Sequence, residues 1–161
     1  MEINVLIDEG LAGHLEVGWL RGIAEQVLVA QKTGAGVELG LVITDQEKVR
    51  QLNRSYRGRD ELTDVLAFAL LPEPLAAGEA AVAPFVPPPD GLRHLGEVII
   101  AYPRAVEQAG EHHHPVKREM AILIVHGVLH LLGYDHDRPE AERQMKEREA
   151  AILSGIKGGL A

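Results

Sequence analysis

With 161 residues and no cysteine, the chain is long enough to fold around one core without staples, and disulfides, cysteine-based zinc sites and thiol nucleophiles are excluded together. A hydrophobic share of 46% and a mean hydropathy of −0.02 exclude the disordered and fibrous classes. The net charge of −8, from 24 acidic and 16 basic side chains, argues against a general nucleic-acid coat, because phosphate binding rests on Lys and Arg; a local basic site on an acidic body remains open.

The opening "MEINVLIDEG" has neither the basic start nor the apolar core of a secretion signal. Apolar runs such as Met120–Val125 are far short of a membrane span. A cytoplasmic protein with no membrane partner is expected. Ile3–Ile7 alternates as a strand does. His14–Lys32 places Leu15, Trp19, Ile23, Val27 and Ala30 at helical spacing, with Gly34 and Gly36 to close the helix. Val37–Ile43 reads as a second strand. Thr44-Asp-Gln-Glu47 has the form of a capping box and opens a helix to about Tyr56, with Gly58 beyond it.

Val65–Leu70 and Glu97–Tyr102 read as buried strands. Between them, Pro72 to Gly91 holds six of the nine prolines, too many for a helix or a ladder. This Pro/Ala-rich insertion, at about 72–92, is expected to be a surface loop. Pro103–Gly110 has the length of a short helix. Pro115–Leu132 is a stronger one, apolar nearly all round from Met120 and therefore buried. Asp137-Arg-Pro-Glu140 resembles an N-cap, a first-turn proline and a return carboxylate, starting a last helix that Gly155 ends. The order β-α-β-α-β-β-α-α-α implies a single α+β domain over 1–161, with a mixed, mostly parallel four-stranded sheet packed with helices.

The chemistry concentrates in "HGVLHLLGYDH", where three of the eight histidines fall within eleven residues. His126 and His130, four apart on a buried helix, share a face one turn apart. Gly133 can take the left-handed conformation that turns the chain back, so that His136 can swing in as a third ligand. Three nitrogen ligands leave a coordination position free, as in catalytic rather than closed structural zinc sites. Zinc is the expected metal, one per chain, although three imidazoles also tolerate nickel, cobalt or copper.

This His-x3-His-x5-His spacing is metzincin-like, but metzincin proteases carry glutamate directly after the first histidine as general base. Here that position is Gly127. The run His112-His113-His114 before Pro115 reads as a solvated surface cluster, with His114 as a possible helix cap. Five of the 16 Lys and Arg lie between Lys48 and Arg59. They read equally as a phosphodiester-binding patch beside a metal centre or as a solvated face balanced by Asp45, Glu47, Asp60 and Glu61.

"LNRSYRGRDELTDVLAFAL", "HLGEVIIAYPRAVEQA" and "VHGVLHLLGYDH" resemble, in order, the three signature blocks of the YbeY family of bacterial rRNA maturation factors. The resemblance implies a zinc-dependent, single-strand-specific endoribonuclease acting in maturation of the small-subunit rRNA 3′ end and in ribosome quality control. Its partners would be single-stranded rRNA and the small ribosomal subunit with its biogenesis proteins. By position, His126, His130 and His136 match the family's metal ligands, Arg57 its functional arginine, Thr63-Asp64-Val65 its "TDVL" block, and Gly96–Ile100 its "GDI" block. Ala67 and Glu97 depart from the usual Ser and Asp. Asp64 is expected to orient an imidazole or a water; Asp135, Glu97 and His114 stand as general-base candidates. The competing expectations are a ribosome-biogenesis binding factor with a structural metal, and, more remotely, a metzincin-like protease.

Overall fold

The computed structural model describes residues 1–11, 13, 15–57, 63–70, 92–134 and 138–156, the side chains of Tyr56 and Arg57 excepted. Four strands, β1 (Glu2–Ile7), β2 (Val37–Thr44), β3 (Val65–Ala69) and β4 (Arg93–Ala101), form one sheet in the order β1-β2-β4-β3. β1, β2 and β4 are parallel and β3 runs antiparallel at the edge. The helices are α1 (Val17–Ala30), α2 (Gln46–Arg57), α3 (Tyr102–Glu111), α4 (Val116–Leu131) and α5 (Pro139–Gly155), with a 3-10 turn at Glu9–Leu11. The expected element order and the mostly parallel, four-stranded α+β sheet are both present.

Alternation along the strands decides what each face receives. Leu39, Leu41 and Ile43 of β2, with Val98 and Ile100 of β4, are buried in the main core. α1 contributes Leu20, Ile23, Ala24, Val27 and Leu28 to that core, and α4 contributes an almost unbroken run from Met120 to Leu131. On the other face, Val49 of α2 closes a smaller cluster over Leu66, Ile99 and Ala101. Burying a side chain of this size stabilises by about 1.5–3 kcal/mol, which is why these two stripes fix the layering.

β4 starts four residues before the expected Glu97, and Tyr102 begins α3 rather than ending the strand. The early part is hidden by a bulge: Glu38 pairs with His94 but Leu39 pairs with Gly96, so Leu95 is an extra residue that breaks the period of two. Gly96 sits at φ 132°, and a Cβ there would lie 2.0 Å from the Phe68 carbonyl oxygen. Only glycine lets β3 and β4 approach at that point.

Helix ends show a second set of differences. Asp45, not Thr44, caps α2: its Oδ1 accepts from the Lys48 amide at 2.7 Å. Thr44 is instead the buried end of β2, donating to Asp8 Oδ2. α5 begins at Pro139 with Arg138 as N-cap and no side-chain cap bond; Asp137 lies outside the described residues. α1 ends on Lys32 at φ 55° rather than on Gly34 or Gly36. The insertion at 72–92 falls, Leu92 apart, outside the described residues.

Candidate metal centre

α4 presents the two histidines because the rest of its surface is committed to the core. From Met120 to Leu131 only Ile122, His126 and His130 are incompletely buried, and these stand at i, i+4 and i+8 on one stripe. The helix then ends in a Schellman motif. The Tyr134 amide donates to Leu129 O and the Gly133 amide to His130 O, each at 3.0 Å, with Gly133 at φ 102°. The left-handed turn expected at Gly133 is therefore present. The outgoing chain is tied down at once: Gln31 Nε2 donates to the Tyr134 hydroxyl at 3.1 Å. Arg148 of α5 in turn donates to Gln31 Oε1 and, at 2.9 Å, to Ala30 O.

His126 and His130 turn their Nε2 atoms toward each other at 3.1 Å, the rings nearly edge to face with centroids 4.6 Å apart. Behind them, His126 Nδ1 lies 2.7 Å from Glu149 Oε1 of α5. A carboxylate on the far ring nitrogen is what metal-ligating histidines ordinarily have. With Nδ1–H given to Glu149, His126 offers a bare lone pair at Nε2 toward His130. A shared cation or a shared proton is what that pairing requires. Two nitrogens at about 2.0–2.1 Å from one tetrahedral zinc stand about 3.3 Å apart, so the observed spacing fits a common ion with little movement of either ring. His136, the third expected ligand, lies outside the described residues, as does the base candidate Asp135.

Gly127 explains itself in this setting. A Cβ there would fall 2.5 Å from Val98 Cγ1 and 3.4 Å from Val65 Cγ2. The residue beside the first histidine is pressed onto β3 and β4, leaving no room for the glutamate that a zinc protease places there. Three other expectations are redistributed. Glu97 is exposed on the opposite face from Val98, over Gly40, and so points away from α4. Asp64 accepts from Gln108 Nε2 of α3 at 3.2 Å, and the carboxylate that orients an imidazole is Glu149. His114 does not cap α4, whose N-cap is Pro115; its Nε2 lies 2.5 Å from Glu119 Oε2, with His112 Nδ1 3.4 Å from the same oxygen. Ligand atoms of these three residues all lie within 4.8 Å of one another, so the group could hold a metal ion.

Glu149 was missed because it follows His126 by 23 residues. A signal did exist: it sits between Met145 and Ile152, the buried residues of an otherwise polar helix, and a carboxylate on an apolar stripe calls for a partner. The basic segment forms α2, where Lys48, Arg50 and Arg54 are exposed and Arg57 is the last residue. α2 lies across the sheet from α4. Its end leads through 58–62 to Val65, the residue already in contact distance of Gly127.

The comparisons with known proteins extend over α4 and α5, the helices that carry the histidine pair and Glu149. The model of the family described as "Endoribonuclease YbeY" matches residues 14–157. The chain belongs to the YbeY family. It is 46% identical over 160 residues to the endoribonuclease YbeY of a Dehalococcoides mccartyi strain, covering 98% of each chain. It is 46% identical over 155 residues to that of Roseiflexus castenholzii, covering 96% of this chain and 92% of the relative. The YbeY of Moorella thermoacetica is 43% identical over 137 residues, 85% of this chain and 84% of its own. A solution structure from Thermotoga maritima, 23% identical, matches with a TM-score of 0.60 over 94% of this chain and 87% of its own, a likeness of fold alone. The YbeY family thus spans both the sheet and the histidine helix of this chain.

Proposed function

We propose that the chain is a zinc-dependent endoribonuclease that cuts single-stranded RNA, acting on rRNA at the small-subunit 3′ end and in ribosome quality control, in the cytoplasm. The observation that carries the metal reading is the convergence of His126 and His130 Nε2, 3.1 Å apart, with Glu149 behind. His126, His130 and His136 are the residues that would hold the ion. When bound, zinc supplies Lewis acidity at the scissile phosphodiester.

The chain's own residues do the rest. Glu149 accepts from His126 Nδ1–H, so that the Nε2 lone pair on the side facing His130 is the one offered to the ion. Arg57 neutralises charge that develops on the phosphate, a task suited to a planar, permanently charged guanidinium. Lys48, Arg50 and Arg54 on the exposed face of α2 bind the RNA backbone, a sequence-independent contact that fits an unstructured substrate. The acidic balance of the whole chain, net −8, disfavours nonspecific capture of nucleic acid and suits contacts with basic proteins of the small subunit. Proteolysis is disfavoured because Val98 occupies the space a base at position 127 would need.

The test is cleavage of an unstructured RNA by Arg57→Ala and His126→Ala proteins. Each is expected to lose at least about 100-fold in kcat, the scale of removing one charge-stabilising donor. Cutting by both at the parental rate would reject these roles.

A further inference from the structure

We propose a second cation site, separate from the His126–His130 pair, formed by His112, His114 and Glu119 where α3 turns into α4. The site is built by backbone geometry before any metal is considered. α3 ends in a Schellman motif: the His113 amide donates to Gly110 O and the His114 amide to Ala109 O. The residue at the left-handed position is His113, at φ 55°, where glycine is the usual occupant. That single inverted residue brings its two neighbours together, so that the rings of His112 and His114 stand 5.4 Å apart.

Both rings address one atom. His114 Nε2 and His112 Nδ1 lie 2.5 and 3.4 Å from Glu119 Oε2, and the Glu119 side chain is only 3% exposed. A carboxylate buried to this degree needs positive charge nearby. Two imidazole nitrogens and a carboxylate oxygen are a donor set suited to zinc or a similar divalent ion. His114 is mostly covered while His112 is 56% exposed, so the cluster has a dry side that fixes the carboxylate and a wet side through which an ion enters. A bound cation would take the place of the proton between His114 Nε2 and Glu119 Oε2, which passes to the other ring nitrogen or to solvent. Glu119 precedes His126 by seven residues on α4, about 10 Å of helix rise, so one ion cannot serve both groups. Joining the end of α3 to the first turn of α4, the second ion acts as a clip on the helix that carries the catalytic histidines.

The experiment is a zinc titration of the chelator-stripped full chain, read by calorimetry and by thermal unfolding. The parent is expected to take up two equivalents, and His126→Ala/His130→Ala to keep one, with a Tm that rises with zinc. Adding His112→Ala to that background, or His114→Gln, which can still hydrogen-bond Glu119, should abolish the remaining uptake while circular dichroism shows the fold unchanged. His113→Gly, which suits the left-handed turn and removes no ligand, should retain it. A single equivalent in the parent that disappears with His126→Ala/His130→Ala overturns the proposal, and so does a second equivalent that survives both His112→Ala and His114→Gln. Because the two sites answer to different substitutions, failure here leaves the endoribonuclease reading standing.

Discussion

At position 127 the smallest residue does the largest service. The spacing of the histidines raises the question of a protease, and Gly127 answers it first as a missing base and then, in the structure, as a contact surface. Its would-be Cβ meets Val98 Cγ1 at 2.5 Å, and valine is stiff at χ1, so the neighbour cannot simply swing aside. Gly127→Ala is expected to cost about 1–3 kcal/mol, the range for overpacking, as read by urea unfolding. The cost should shrink in a Val98→Ala background, because the substitutions share one contact; equal costs in the two backgrounds would place the strain elsewhere. Gly133 shows the opposite kind of legibility. Its role is local, a helix end followed by a reversal, and local chemistry is visible in sequence. What Gly127 and Gly96 do depends on strands far away in the chain, and the letters around them carry no trace of Val98 or Phe68.

Among elements, α4 carries the histidines but α5 makes them a site. Adjacent residues of α5 act in different directions: Arg148 reaches Gln31 and Ala30 at the end of α1, and Glu149 reaches His126. Glu149→Ala removes the carboxylate behind His126 Nδ1 and, with circular dichroism to check that the fold is kept, should weaken metal binding at the histidine pair about 10–100-fold. Competition with a chromogenic chelator measures this, and an unchanged affinity would remove Glu149 from the site. The existence and type of every long element could be read from periodicity, because burial imposes a period of 3.6 or 2 on the residues themselves. Ends were less legible. Thr44 and Asp45 are both good caps, and only the sheet decides that Thr44 stays in β2. Lys32 and His113 occupy left-handed positions that sequence reasoning reserves for glycine, because a packed helix end can override a local preference of about 1–2 kcal/mol. The result at His113 is a cluster that looked, as letters, like a solvated run.

Over the whole molecule, a net charge of −8 coexists with a helix rich in basic side chains. The chain is acidic overall, yet α2 holds exposed Lys48, Arg50 and Arg54 and ends on Arg57. If α2 grips an RNA backbone, Lys48→Gln/Arg50→Gln/Arg54→Gln should bind single strands more weakly and lower the slope of log affinity against log salt by about 2, near 0.7 per lost phosphate contact. A slope equal to that of the parent would show that α2 only solubilises the domain. No described helix is long and apolar enough to cross a membrane. The central claim is that imidazoles on α4 hold an ion on which RNA cutting depends. Its most direct test is the rate at which the full chain cleaves an unstructured RNA after stripping with a strong chelator and again after zinc is returned. Stripping is expected to lower the rate at least about 100-fold, the scale for a catalytic electrophile, with recovery in the parent but not in His126→Ala. Undiminished cleavage by the stripped protein, or equal recovery in His126→Ala, would contradict it.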